Sequence, residues 1–290
     1  MSEQPRLINR YLIFPTSVID RRSQRWRDLR RDHAVTDDST RDGALYAESS
    51  HPVGRELYTY SDGASRFDPA LARLLVHWYT TTGDHVIDPF AGGPTRGVTA
   101  AAMGRTYLGI DIRPDQIAAQ PVTEGACWQV GDATRHEWGP ADAVLTCPPY
   151  GPLERYSDDP RDLSTMAPAA FADALTESAR RAAGALREDR FSLWVVGDYR
   201  HRDGSLASLI PAVVEGHRQA GCTWIDDLIV VDPVGAGRLR AKRPWVRGRL
   251  TLRTHQHVLV FVTGDRREAA WRIYDGMDVP AKKWKREGAR

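Results

Sequence analysis

Four short stretches of this 290-residue chain combine residue types that can do chemistry, and each follows an apolar run. The first is DPFAGGPTRG, Asp88 to Gly97. Glycines between a strand and a helix let the backbone approach a ligand closely and aim helix N–H groups at it. The second is GID, Gly109 to Asp111, where a strand-end carboxylate can accept from two ribose hydroxyls. The third, Gly131 and Asp132, places a carboxylate to meet a base or an amine. The fourth is TCPPYG, Thr146 to Gly151, which sets two prolines between a thiol and an aromatic ring. Proline donates no N–H and holds the backbone stiffly extended. A single stretch of this kind means little, because a strand-end Asp often only caps a helix. Four in succession, all at strand ends, describe a ligand site.

The elements that must position these residues follow from periodicity. ALARLLVHWY, Ala70 to Tyr79, has helical spacing. Short apolar runs predict seven strands: His85 to Phe90, Thr106 to Ile112, Cys127 to Val130, Asp142 to Cys147, Phe191 to Asp198, Trp224 to Asp232 and His255 to Thr263. Helices are predicted at Thr95 to Met103, Pro168 to Leu186 and Leu206 to Ala220. Strands alternating with helices give an α/β fold with a doubly wound, mostly parallel sheet. Such sheets bind ligands at the carboxyl ends of their strands, where all four stretches lie. Residues 1–66 show weak periodicity and many turn formers, the run at 37–43 above all, and read as an irregular N-terminal cap or lid. Residues 67–263 form the predicted main domain, with a basic insert at about 233–254 and a basic C-terminal tail at 264–290.

Composition narrows the possibilities. No apolar run approaches the ~18 residues of a membrane helix, and MSEQPRLINRYLIF lacks the order of a signal peptide. Cys127, Cys147 and Cys222 form neither a CxxC pair nor a zinc spacing, so they read as reduced thiols in a cytoplasmic protein without a metal. The formal charge of +2 is nearly neutral, so a nucleic acid would have to meet local basic clusters. One runs from Arg21 to Arg31. A second holds Arg238, Arg240, Lys242, Arg243, Arg247, Arg249 and Arg253. The tail carries Lys282, Lys283, Lys285, Arg286 and Arg290. A solvated face explains any single cluster equally well. Trp26 and Trp245 lie inside the first two, and rings among arginines suit bases and phosphates.

DPFAGG, GID, GDA and TCPPY together resemble the ordered motifs of class I S-adenosylmethionine-dependent methyltransferases. Within these the chain is similar to the amino-group DNA methyltransferases, whose signatures are DPFxGxG at the cofactor and [DNS]PP[YFW] at the target base. The resemblance covers about Phe67 to Phe261, including HQHVLVF, His255 to Phe261, which resembles the family's antiparallel last strand. PPYGPLERYSDDPRDLSTM resembles a phage and mobile-element branch. The resemblance implies that Asp88, Phe90, Ala91 and Gly92 line the methionine and ribose side of S-adenosylmethionine. It places Asp111 on the ribose hydroxyls, Ile112 against the adenine and Asp132 on the adenine amine. Phe67, Asp68 and Pro69 would be the further motif that closes over the methionine part.

It also gives CPPY a task. An exocyclic amine is a poor nucleophile because its lone pair is delocalised into the ring. In the family, a side-chain oxygen and the first proline's carbonyl accept its two hydrogens, and the aromatic residue stacks on a base flipped from the duplex. Carried over, Cys147 and the Pro148 carbonyl share the amine, Pro149 keeps the turn rigid and Tyr150 holds the base. The DNA contacts fall to Arg238, Arg240, Lys242, Arg243 and Arg247, alone or with the second subunit of a homodimer.

Two residues depart from the family pattern. Pro94 stands at the second glycine, which puts Gly93 to Arg96 in question as contacts, with Arg96 or Gly97 to compensate. Cys147 stands at the Asp/Asn/Ser position, and sulfur is a weak acceptor. Serine there is typical of cytosine-N4 enzymes, so the balance tips slightly to cytosine over adenine. A thiol attacking cytosine carbon is disfavoured, because in carbon-5 enzymes the thiol follows a proline. The rival readings are an RNA guanine-N2 methyltransferase, an inactive nucleic-acid-binding relative, and an enzyme transferring another group.

Overall fold

The computed structural model describes residues 16–32, 67–151, 155–201, 203–207, 209–232 and 244–275. Its centre is an eight-stranded sheet, one strand more than the periodicity predicts. The strands are β1 (Val18–Asp20), β2 (His85–Asp88), β3 (Thr106–Asp111), β4 (Ala126–Val130), β5 (Ala141–Thr146), β6 (Leu186–Val196), β7 (Thr223–Val231) and β8 (His255–Val262). They lie in the order β1-β7-β8-β6-β5-β2-β3-β4. Among the described strands only β8 runs against its neighbours, β6 and β7. The seven strands β2 to β8 correspond to the seven that the periodicity predicts, with the last one antiparallel.

The extra strand is β1. It pairs in parallel with β7, Val18 opposite Ile229 and Asp20 opposite Val231. Three residues between turn formers carry no readable period, so tertiary pairing alone makes this a strand. The helix behind it, α1 (Gln24–Asp32), buries Trp26 and Leu29. The other helices are α2 (Pro69–Tyr79), α3 (Thr95–Ala102), α4 (Pro114–Ala118), α5 (Pro168–Gly184), α6 (Leu209–Gln219) and α7 (Arg266–Asp275). The last of these falls within the stretch read as a tail. Ala269 and Ile273 bury its inner face, and Arg272 forks onto Asp84 at 2.6 and 2.9 Å.

Both faces of the sheet are covered, which is why β5 reads ADAVLT without polar alternation. Ala143 and Leu145 enter the core formed with α2, α1 and α7. Ala141 and Val144 enter the core formed with α5 and α6. The chain leaves β2 toward β3 and β4, and leaves β5 toward β6. The order therefore reverses between β2 and β5, the switch point at which such sheets open a crevice. DPFAGG and TCPPY begin there side by side. Among the described residues no helix is long and apolar enough to cross a membrane.

Candidate active site

Asp88 ends β2 and is fully buried. Its Oδ1 accepts from the Phe90 amide at 3.1 Å and from Thr146 Oγ1 at 2.6 Å. Its Oδ2 accepts from Arg96 Nε at 2.6 Å and the Tyr107 hydroxyl at 2.7 Å. The carboxylate therefore joins the first strand end, the neighbouring strand β3 and the residue before Cys147. Arg96 extends the join. Its Nη2 donates to the carbonyls of Phe90 and Ala91 at 2.6 and 3.0 Å, and its guanidinium lies 4.7 Å from the Phe67 ring centre. Burial acts to depress the Arg96 pKa, but the charges of Asp88, Tyr107 and Cys147 and the hydrogen bond to Asp88 together outweigh it and hold the guanidinium above its ordinary value. This arginine restrains the turn that Pro94 alters. Pro94 itself caps α3 at φ −73° and accepts from the Val98 amide at 2.9 Å. Arg96 is the residue here that sequence reasoning named only as a compensation. Its signal was an arginine in the first turn of a helix of small residues.

The glycine turn opens from this anchor. Gly92 has φ +51°, a left-handed conformation that favours glycine. A Cβ on Gly93 would meet no atom within 4 Å, so the backbone here borders open space. Asp111, at the end of β3, reaches the same turn. Its Oδ2 accepts from the Gly92 amide at 3.2 Å and its Oδ1 from the Arg113 amide at 2.9 Å. Each oxygen keeps a further lone pair. Burial pushes the Asp111 carboxyl above its ordinary value against the pull of Arg113. Gln120 closes the far side, donating to the Gly92 carbonyl at 2.7 Å, while its buried Oε1 has no hydrogen-bond partner. No motif in the sequence marks Gln120. Ile112 is partly buried beside Asp111. Asp132 takes the Thr134 amide and hydroxyl at 2.9 and 2.6 Å, so one of its oxygens, Oδ1, serves its own turn.

Phe67, Asp68 and Pro69 enter α2. Asp68 caps the helix by accepting from the Ala70 amide at 2.8 Å. Its Oδ2 takes Arg21 at 2.8 Å and Trp26 Nε1 at 3.3 Å. Arg21 also pairs with Asp232 at 2.6 Å. Burial raises the Asp232 carboxyl, and Arg21 opposes that rise. The N-terminal segment is thus tied to the entrance of α2 and to the end of β7.

CPPY leaves β5 next to this network. Cys147 Sγ lies 3.3 Å from the Tyr150 hydroxyl, and either atom can donate. Burial and the neighbouring thiol push the Tyr150 phenol well above its ordinary value. Gly151 follows at φ +58°, and a Cβ there would run into the Tyr199 hydroxyl. The Tyr150 ring covers Gly197, where a Cβ would stand 3.5 Å from it.

The structure therefore brings Phe67, Asp88, Phe90, Ala91, Gly92, Asp111 and Cys147 to one end of the sheet. Of the basic residues, Arg238, Arg240, Lys242 and Arg243 lie outside the described residues, as does the 282–290 tail cluster. Arg247 is exposed, and nearby Arg249 lies over the Trp245 ring at 5.4 Å.

Residues 42–120, spanning α2, the glycine turn and β3, match the family model described as DNA methylase. The chain is similar to the amino-group DNA methyltransferases. It is 39% identical over 51 residues to the type II methyltransferase M.XycI of Xanthomonas campestris pv. cyanopsidis, covering 18% of this chain and 17% of that protein. It is 36% identical over 58 residues to the DNA adenine methyltransferase YhdJ of Escherichia coli K12, covering 20% of each. The chain thus spans about a fifth of the length of the curated relatives it matches. Among solved structures, the [4+2]-cyclase SpnF aligns with a TM-score of 0.49 at 12% identity, over 73% of this chain and 89% of that one. TrmN of Thermus thermophilus aligns with a TM-score of 0.45 at 16% identity, over 68% and 49%.

Proposed function

We propose that this chain is an S-adenosylmethionine-dependent DNA methyltransferase acting on the exocyclic amine of a flipped base, with cytosine N4 favoured over adenine N6. The observation that carries the reading is the meeting of the glycine turn and CPPY at the switch point, joined through Asp88 and Thr146. The cofactor suits the residues present. Open space borders Gly93, lone pairs remain on both Asp111 oxygens, and the Gln120 Oε1 beside Gly92 has no partner. Held there, S-adenosylmethionine supplies a methyl group on a sulfonium.

The protein's own residues do the rest. Asp111 holds the ribose hydroxyls, and Phe67, Asp68, Pro69, Asp88, Phe90, Ala91, Gly92, Ile112 and Asp132 shape the surrounding walls. The Pro148 carbonyl and Cys147 Sγ accept the two amine hydrogens and so aim the lone pair away from the ring. Tyr150 stacks on the base, which is worth ~1–3 kcal/mol. Arg238, Arg240, Lys242, Arg243 and Arg247 meet phosphates.

Incubation with labelled S-adenosylmethionine and a mixture of DNA and RNA, followed by nucleoside analysis, tests this directly. Methylcytosine or methyladenine in DNA is expected, and label confined to RNA guanine would sink the reading. Asp111→Ala should weaken cofactor binding about 10-fold or more, since two charge-assisted hydrogen bonds are removed. Calorimetry with unchanged affinity would remove Asp111 from the site. Replacing Arg238, Arg240 and Lys242 together should lower the log–log salt slope of DNA binding by about 0.9 for each phosphate that is no longer neutralised.

A further inference from the structure

We propose that Asp198 and Arg253 read the ring edge of the flipped base beside Tyr150, and that the edge they fit is the amine, N3 and O2 of cytosine. The inference deepens the function proposed above and rests on it. The placement comes from the sheet. β5 and β6 are parallel neighbours whose pairing ends with Thr146 opposite Trp194, so CPPY and the Gly197-Asp198 stretch leave the sheet side by side. Gly197, between Val196 and Asp198, is the residue that the Tyr150 ring covers. The antiparallel start of β8 arrives at the same edge, with His257 opposite Val196 and Arg253 just before the strand.

The groups gathered there are partly buried, and each carries a buried polar atom that makes no hydrogen bond among the described residues. The Asp198 side chain is 9% exposed, and its Oδ1 has no hydrogen-bond partner. Its Oδ2 is 3.8 Å from Arg253 Nη2, beyond hydrogen-bond range. Arg253 Nε is also buried without a partner. His257 is held by its Nδ1 on Asp227 at 3.0 Å, while its Nε2 is buried and bare. Native proteins pair nearly all such atoms, because a bare one keeps its desolvation cost. A cluster of bare polar atoms at the ligand-binding edge therefore points to a ligand that completes it. Burial raises the Asp198 carboxyl, which Arg253 and the two histidines oppose, so these groups act on one another.

The mixture of charges selects the ligand. A phosphate would face the Asp198 carboxylate, and a cation would face the Arg253 guanidinium. A neutral edge that both donates and accepts suits the pair. Cytosine shows, in sequence, an amine donor and two adjacent acceptors, N3 and O2. Asp198 takes the donor, and the Nε–Nη2 side of Arg253 takes the two acceptors. Adenine offers an amine, one ring nitrogen and then a C–H, which leaves one guanidinium N–H bare. Asp198 thereby takes the amine hydrogen that would otherwise fall to the weakly accepting Cys147 sulfur, while the Pro148 carbonyl keeps the other.

The test uses the full chain, labelled S-adenosylmethionine and unmodified genomic DNA, with products identified as nucleosides. The wild-type protein should form N4-methylcytosine. Asp198→Asn and Arg253→Leu should each lower the transfer rate at least 10-fold at saturating cofactor, with cofactor affinity by calorimetry unchanged. Arg253→Lys, which keeps the charge but not the planar fork, should also lose rate, and it serves if the leucine variant does not fold. Cys147→Ala should lose less than Asp198→Asn. N6-methyladenine as the product, or wild-type rates in Asp198→Asn together with either Arg253 variant, would overturn the assignment alone. Absence of transfer to any base by the wild-type protein would overturn the proposed function and this assignment with it.

Discussion

Asp88, fully buried, and Asp198, partly buried, are both carboxylates at the carboxyl edge of the sheet, and they are built in opposite ways. Asp88 receives four donors, two on each oxygen. Asp198 has no donor within hydrogen-bond distance on Oδ1, and its nearest guanidinium nitrogen is 3.8 Å from Oδ2. A saturated buried carboxylate is a structural joint: every interaction available to it is already made, so it fixes the strands that supply its donors. An unsaturated one is tolerated only where another molecule can complete it. His257 and His217 repeat the contrast. His217 Nδ1 donates to the Val213 carbonyl at 2.8 Å, Ser192 Oγ lies 2.9 Å from Nε2, and the ring stacks on Phe261 at 3.7 Å. His257 has one bare nitrogen. Polarity is alike in each pair; the scaffold member is fully buried with its lone pairs and protons satisfied, and the site member is partly exposed with a bare atom.

The largest effect expected from this contrast is at the joint. Arg96→Met leaves the Asp88 charge buried without its cation and should destabilise the fold by about 3–5 kcal/mol. Chemical denaturation of the variant measures this, and a loss below about 1 kcal/mol would show that Asp88 is not the joint described.

The next concerns His217, whose pKa burial lowers to about 4. Its folded value lies below the ordinary ~6.5, so the unfolded chain takes up the extra proton as pH falls. Stability should therefore be undiminished by this group above about pH 6.5 and should fall by up to about 3 kcal/mol as pH drops toward 4. His217→Gln should flatten that stretch of the stability–pH curve. An identical slope in both proteins would contradict the assignment of His217 as a neutral core group.

A smaller loss is expected where packing rather than charge supports the glycine turn. A Cβ on Gly97 would stand 2.6 Å from the Trp128 ring and 2.7 Å from that of Tyr107. Gly97→Ala should cost about 1–3 kcal/mol through displacement of α3 from β3 and β4. Thermal melting checks it.

The smallest effect on stability belongs to the open site. Asp198→Asn keeps the shape and removes a charge that lacks a hydrogen-bonded partner. Its stability should change by less than about 1 kcal/mol, or rise. A loss comparable to that of Arg96→Met would erase the distinction between the two carboxylates.

Much of this arrangement is legible without coordinates. The strands that carry DPFAGG, GID, GDA and TCPPY are short apolar runs closed by glycine, aspartate or proline, and local patterning suffices to find them. Helix α2 announces itself by spacing and by Asp68-Pro69 at its start. The antiparallel β8 follows from resemblance. What patterning misses is β1, because three residues have no period and the strand forms only when β7 offers an unpaired edge. It misses α7 for a related reason: only Ala269 and Ile273 are buried, too few to mark a stripe in a basic stretch.

The chain's sequence by itself determined the order of the chemical groups along the sheet edge, because strand ends and glycine turns are set by neighbours within a few residues. It also determined the two departures, Pro94 and Cys147. Tertiary structure decided what each group does. Arg96 reaches Asp88, eight residues away, only because the turn folds back on itself. Arg21 joins Asp68 to Asp232 only because β1 docks beside β7. Asp198 meets Arg253 only because β8 returns antiparallel beside β6. Hydrogen-bond satisfaction is a property of groups distant in sequence, and it becomes definite only when the sheet has closed around them.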